Sequence, residues 1–338
     1  MAVDALLFIA GIVLATMTLL DVFETVVVPG GSRASLKVAK RLVWLLLPIW
    51  KRVRGKRHGL SGAFAPLVLV LCFVTWMALL AFGFGLMAYA VRSDFEPALR
   101  SLPDAIYIVG SSLVTVGLSE SNPTGFARWV VLGAGFCGLA VMTMAVTYLL
   151  EVQGSVARRD TGIIKLNTSA GDPPSALTLL ERFAAIRNTP EIPEVLKEGR
   201  NWCATVRQSH SAHPSLIYFR TQRTGAGWPA ALGALLDLAL IAEHCLADDS
   251  LYGPGLLLRD EGVRVATELA TMVRLAPAAL EPRESDLREL AERLRKACYA
   301  LREDIDFAAF AEQRAQAQSA VAAMADHLGQ PAAVLIRR

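Results

Sequence analysis

Three apolar stretches, each long enough to cross a lipid bilayer, limit what this chain of 338 residues can fold into. They cover residues 5–28, 65–91 and 126–150. A helix advances about 1.5 Å per residue and needs about 20 apolar residues to cross the hydrocarbon layer. A soluble domain rarely places three such stretches in its first half. The sequence therefore predicts a membrane protein with three transmembrane helices.

Basic side chains concentrate in the linker between the first two stretches. Nine of the twelve Lys and Arg residues in positions 1–154 lie between Arg33 and Arg57. Because loops rich in Lys and Arg stay in the cytoplasm, the linker is predicted to be cytoplasmic. The loop between the second and third spans then lies outside, and the C-terminal half lies inside the cell. Within the linker, residues 42–50 are too short to span and are flanked by cations, which predicts a helix at the membrane surface.

Residues 103–124 form the loop that this topology places outside. Pro103 and Asp104 mark a helix start, because proline fits the first turn and a carboxylate favours the positive end of the helix dipole. A short helix follows to Leu113, and an extended run begins at Val114. Such a re-entrant segment is tolerated at membrane depth only where protein or water covers it. The pattern predicts a short re-entrant helix followed by an extended loop.

The extended run has the chemistry of a cation path. Backbone carbonyls can replace the water around a cation without adding a net charge that would trap it. Gly117 tolerates the backbone angles that this requires because it has no Cβ, and the Thr115 hydroxyl would add an inner oxygen. One loop cannot surround an ion, so the pattern predicts four copies around one axis.

The order of these features resembles the pore domain of the pore-loop potassium channel superfamily, in its bacterial two-transmembrane form with an added N-terminal span. The resemblance covers residues 65–152 and implies a homotetramer in the cell membrane that passes potassium down its gradient. It also implies that Glu120, where the family has aspartate, forms an acidic ring at the outer mouth. The implied filter residues are Thr115, Val116, Gly117, Leu118 and Ser119.

Two filter positions depart from that family. Leu118 stands where the family usually has an aromatic residue, and Ser119 stands where it has glycine. A non-glycine residue in a left-handed conformation costs about 1–2 kcal/mol, so we expect a rearranged outer filter. Three interpretations stay open: a potassium-selective channel, a weakly selective cation channel, and a non-conducting membrane sensor or scaffold.

Two further sets of residues in the spans have alternative interpretations. Gly133, Gly135 and Gly138 form either a gating hinge, as the resemblance implies, or sites of close helix packing. Asp21 and Glu24 form either a functional acid site in the membrane, such as a proton sensor, or partners of the basic cluster at the cytoplasmic surface.

The C-terminal half is predicted to be helical, because apolar residues recur at intervals of three and four. The predicted helices cover 174–187, 191–208, 228–247, 260–275, 284–303 and 305–328, with a joint at Gly253-Pro254-Gly255. His210 and His213 lack nearby ligands and are expected in a solvated loop. We find no catalytic constellation, nucleotide-binding motif or nucleic-acid signature, and we expect no enzyme, no cofactor and no metal beyond permeating potassium or sodium.

The sequence thus predicts an all-α membrane protein of four parts, with the last part acting in assembly or gating in response to an unidentified regulatory ligand. The parts are the N-terminal transmembrane helix (1–31), the basic cytoplasmic linker with its interfacial helix (32–60), the pore domain (61–154) and the cytoplasmic helical domain (155–338).

Overall fold

The computed structural model describes residues 1–28, 36–53, 63–221 and 226–337. The chain divides into two compact units, Met1–Gln153 and Gly154–Arg338, called here the membrane unit and the tail unit. The predicted break at 29–31, Arg33 and the basic cluster at 54–57 lie outside the described residues.

Three helices of the membrane unit confirm the predicted spans. They are long and apolar enough to cross a membrane, and they begin and end within a few residues of the predicted positions except at the end of the last one. The described helices that begin in this unit are α1 (Ala2–Val26), α2 (Val38–Val53), α3 (Phe64–Ala90), α4 (Leu102–Leu113) and α5 (Ala127–Ala170). The spans are α1, α3 and α5.

Helices α1 and α3 pack closely where glycines meet. A Cβ added to Gly11 would lie 2.5 Å from the carbonyl oxygen of Gly83, so neither backbone leaves room for a side chain there. Small residues allow this approach in a membrane, where helix association depends on close packing. Helix α2, which contains the predicted surface segment, ends near α3, and the Trp50 and Phe64 rings stack with centroids 4.9 Å apart.

A short two-stranded ladder closes the loop between α3 and α5. Strands β1 (Phe95–Glu96) and β2 (Asn122–Pro123) pair antiparallel. Next to them, the Thr124 N–H and hydroxyl both donate to the Asp94 carbonyl oxygen, at 2.7 and 2.9 Å. These hydrogen bonds therefore join the two ends of the loop that contains α4.

The tail unit is helical, which confirms the predicted class of an all-α membrane protein with a helical C-terminal region. Besides the end of α5, its described helices are α6 (Ala176–Ala185), α7 (Ile192–Ala212), α8 (Trp228–His244), α9 (Asp249–Met272), α10 (Glu284–Lys296) and α11 (Phe307–Leu328).

Three details of the tail unit differ from the sequence prediction. Helix α5 continues to Ala170 instead of ending at Leu150, and Gly253-Pro254-Gly255 lies inside α9 instead of forming a joint. His210 is fully buried in α7 with its Nδ1 2.8 Å from the Val206 carbonyl oxygen, so the predicted solvated loop is wrong. Burial, with a smaller contribution from Arg159, lowers the His210 pKa to about 3, which keeps the ring neutral.

Candidate functional site

The pore helix α4 is positioned by its own sequence. Ser101 caps the helix: its hydroxyl accepts from the Asp104 N–H at 3.4 Å, and its own N–H donates to the Asp104 carboxylate at 3.0 Å. This reciprocal pair satisfies two backbone donors at the helix start. Ile108 and Leu113 are buried on one face of α4. Gly85 of α3 allows α4 to approach, because a Cβ there would lie 2.5 Å from the Ile106 side chain.

The predicted filter segment begins directly after α4 and directs its first amides back at the end of that helix. The N–H groups of Val116 and Gly117 both donate to the Ser111 carbonyl oxygen, at 2.8 and 3.1 Å. In a trans peptide, the carbonyl points opposite to the N–H of the next residue. The Thr115 and Val116 carbonyls therefore point away from α4.

Two residues take a left-handed backbone to make this turn. Thr115 has φ +62° and Gly117 has φ +71°. Glycine tolerates this conformation without strain, whereas threonine does not. All residues from 114 to 120 are exposed in the single chain. The Thr115 and Val116 carbonyls therefore point away from α4 on an exposed face.

The second part of the predicted filter segment, at Leu118 and Ser119, turns the other way. The Ser111 hydroxyl oxygen lies 2.7 Å from the Leu118 carbonyl oxygen, so this carbonyl points back at α4. By the same geometry, the Ser119 N–H points away from α4. Ser119 is not among the described residues with positive φ, and its hydroxyl accepts from the Ser121 N–H at 3.1 Å. Ser119 therefore does not take the left-handed conformation whose cost led us to expect a rearranged outer filter, and that rearrangement stays a prediction.

The three candidate hinge glycines differ in their surroundings. A Cβ on Gly138 would lie 1.9 Å from the Leu113 carbonyl oxygen, where α4 ends and the filter begins. The nearest atoms to a Cβ on Gly133 or Gly135 would lie 3.6 and 3.5 Å away, which is ordinary contact. Gly138 thus allows a close backbone contact, as the packing interpretation expects, and a hinge remains a prediction.

The intramembrane acid Asp21 is fully buried and has partners that the sequence did not reveal. One of its oxygens, Oδ2, accepts from the Trp76 indole N–H at 2.8 Å and from the Val38 N–H at the start of α2 at 3.3 Å. Its other oxygen, Oδ1, has no partner among the described residues. Glu24 lies one turn further along α1 and is partly exposed. Asp21 therefore joins α1, α2 and α3 through uncharged donors.

Comparison with protein families decides the class of this site. Residues 67–153 match the family model described as "Ion channel". This segment belongs to the pore-loop ion channel superfamily. The ion-channel match begins within α3, contains α4 and the filter segment, and ends within α5. No curated protein and no solved structure matches the chain.

Proposed function

We propose that four copies of this chain assemble around one axis as a channel for monovalent cations that prefers potassium. The observation that carries this proposal is the orientation of the Thr115 and Val116 carbonyls, which point away from α4 on an exposed face. Four such loops would place rings of oxygens around a dehydrated ion. No charged group is needed, so the ion can leave as well as enter.

Exposed groups on the membrane unit support an assembly of this kind. Glu120 is exposed at the outer end of the filter, and four copies would concentrate cations at the mouth. On α5, Trp129, Leu132 and Phe136 are 68%, 63% and 73% exposed in the single chain. Apolar side chains of this size suit lipid or a second copy of the chain, and both are present around a homotetramer in a bilayer.

The tail unit would lie in the cytoplasm and act in assembly or gating of the pore. Its support is the basic linker, which favours a cytoplasmic C-terminus, and its position after the third span in the chain. Ending the chain at Gln153, where the units divide, tests this role. Unchanged assembly and unchanged flux in that shortened protein would reject it.

A weakly selective cation channel is the second candidate, and one observation favours it. The Leu118 carbonyl points at α4 instead of away from it. The outer filter would then offer fewer oxygens to an ion, and discrimination between potassium and sodium depends on the number of oxygens and their field strength. Reversal potentials in mixed potassium and sodium separate the two candidates.

The central experiment is potassium flux from liposomes that contain the purified full-length protein. We expect flux that Gly117→Ala abolishes, because φ +71° strains any residue with a Cβ. The matched control is Gly253→Ala in the tail unit, where a Cβ would have no neighbour within 4 Å, and this variant should keep full flux. A purified tetramer that stays silent over a range of pH and voltage would instead favour a sensor or scaffold.

A further inference from the structure

The Ser111 hydroxyl faces two carbonyl oxygens but has one proton to donate. It lies 2.8 Å from the Ile108 carbonyl oxygen, within its own helix, and 2.7 Å from the Leu118 carbonyl oxygen, in the filter. Serine in a helix commonly bonds back to its own turn. The second contact is of another kind, because it reaches from the pore helix to a peptide of the predicted ion path.

That contact fixes which group of the outer filter faces the open side. With the Leu118 carbonyl turned to α4, the Ser119 N–H is the group directed away from it. An N–H presents a positive partial charge, so it cannot replace a water molecule around a cation. The outer half of the filter would therefore lack one of the oxygens that the inner half supplies at Thr115 and Val116.

Ser119 holds the same peptide by a different means. Turning one peptide plane over moves the φ of the following residue from negative to positive, as in the change from a type I to a type II turn. Ser119 has no positive φ in the structure, and its hydroxyl accepts from the Ser121 N–H in the present arrangement. Turning the Leu118 carbonyl outward would thus strain Ser119, whereas glycine would accept the new angle.

We infer that Ser111 is a specificity-determining residue that, together with Ser119, holds the Leu118–Ser119 peptide turned away from the ion path and so lowers selectivity for potassium over sodium. This inference rests on the proposed channel function. It assigns opposite roles to two atoms of one residue: the Ser111 carbonyl oxygen binds the amides of the inner filter, and its hydroxyl holds back a carbonyl of the outer filter.

The test compares reversal potentials of full-length variants in liposomes with mixed potassium and sodium. Removing the hydroxyl in Ser111→Ala should raise the permeability ratio of potassium to sodium by about fivefold, the factor that one hydrogen bond contributes. Ser119→Gly should also raise it. The double variant should gain less than the product of the single gains, because both changes release one peptide.

Two controls separate this role from a general effect on the pore helix. Ser111→Thr keeps a hydroxyl at the same place and should keep the ratio of the unchanged protein. Ser112→Ala removes the neighbouring hydroxyl, for which the described residues show no hydrogen bond to the filter, and should also leave the ratio unchanged. A lower ratio in Ser111→Ala, or an equal gain in Ser112→Ala, would overturn the inference.

A second readout does not depend on conduction. In a cryo-electron microscopy map of the purified protein in potassium chloride, the Leu118 carbonyl should face the pore helix in the unchanged protein and the opposite side in Ser111→Ala/Ser119→Gly. If the unchanged protein passes no cation, the proposed function fails together with the effect on selectivity, and the map then shows only whether Ser111 holds the Leu118–Ser119 peptide. A Leu118 carbonyl on the axis of the unchanged protein would refute that role.

Discussion

The membrane unit and the tail unit bury carboxylates in opposite ways. Asp21, in α1, is fully buried and accepts from an indole N–H and a backbone N–H, both uncharged. Asp237, in α8, is also buried but receives two bonds from Arg314 of α11, at 2.8 and 3.0 Å, and one from Gln318 at 2.8 Å. In the membrane unit the buried acid is bound by uncharged donors, whereas in the tail unit it is paired with an arginine.

The same contrast extends to the other contacts between helices. In the membrane unit, the described ion pairs involve Asp4 near the start of α1. In the tail unit, Glu181–Arg293 and Glu243–Arg259 join different helices at 2.7 and 2.6 Å. The neutral partners in the membrane unit agree with its three spans, because an unpaired charge inside a bilayer is costly.

The largest effect is expected from removing the positive partner of Asp237. Arg314→Met would leave a buried, uncompensated carboxylate and should cost about 3–5 kcal/mol of tail stability. The measurement is urea unfolding of the full-length protein in detergent, followed by limited proteolysis. As the control, Arg288→Met breaks an exposed pair with Glu284 at 3.0 Å and should cost less than about 1 kcal/mol. Equal losses of stability in both variants would contradict the role of Arg314 as the compensating charge of Asp237.

The next effect concerns the glycine contact at the base of the filter. Gly138→Ala places a methyl group against the Leu113 carbonyl oxygen, and the two backbones must separate. Overpacking of this kind costs about 1–3 kcal/mol, so the thermal stability of the assembly and its flux should both fall. Gly133→Ala, with ordinary contact to Phe84, should change neither. If Gly138→Ala keeps its stability and loses only gating, the hinge interpretation gains support over packing.

A smaller effect is expected at the intramembrane acid. Asp21→Ala leaves the Trp76 and Val38 donors without an acceptor and should cost about 1–3 kcal/mol. Asp21→Asn keeps a neutral acceptor and should stay close to the unchanged protein, because neither donor is charged. Thermal unfolding in detergent measures both variants. An Asn variant as unstable as Arg314→Met would show that the charge of Asp21 matters, which removes the contrast between the units.

The smallest effect is a pH dependence in the tail unit. Burial, opposed by Arg259 and reinforced by Asp260, raises the pKa of Glu243 from 4.5 to about 7. Because the folded protein favours the protonated form, this stabilisation is present below pH 4.5 and is lost as the pH rises through about 7. Stability should fall by at most about 1.4 kcal/mol per pH unit across that window.

Glu243→Gln should remove this slope, since an amide does not titrate. Unfolding measured at several values between pH 5 and 8 gives the profile, and Glu284→Gln, at an exposed position, serves as the matched control. A profile that stays steep in Glu243→Gln would assign the dependence to another group.

The three spans were readable from the sequence because composition and length determine them, and the filter between the last two stays a prediction. The first span was expected at 5–28 and lies at Ala2–Val26. The end of α5 was missed for a physical reason: its apolar run stops near Leu150, but the first strong break is Gly171, with φ +81°, followed by Pro173. A span ends where the lipid ends, whereas a helix ends where the backbone is broken.

The predicted joint inside α9 was also wrong, because it was inferred from glycine and proline alone. Gly253-Pro254-Gly255 suggested a joint, yet the helix runs through it. A Cβ on Gly255 would lie 3.1 Å from the Ala239 carbonyl oxygen, so this glycine serves close packing on α8. Periodicity and breakers describe one segment at a time and cannot show which segment lies opposite.

The segment from Thr115 to Ser119 shows the same limit at the level of single peptides. The position of Thr115 to Gly117 follows from the pattern around it, but the direction of the Leu118 carbonyl depends on a hydroxyl seven positions earlier that only the fold brings close. Likewise, Asp21 was recognisable as an unusual acid, whereas Trp76, its partner 55 positions later, carried no signal.

The β1–β2 ladder limits how a channel of this type can vary over generations. Residues 114–121 lie between the last turn of α4 and a strand whose pairing is set by Phe95 opposite Pro123. An inserted or deleted residue in this interval must either be absorbed by the exposed segment, which changes its backbone path, or shift the pairing by one step and exchange the two faces of the strand. Lineages with this architecture should therefore change the mouth by exchanging side chains, while the number of residues between the two anchors stays constant.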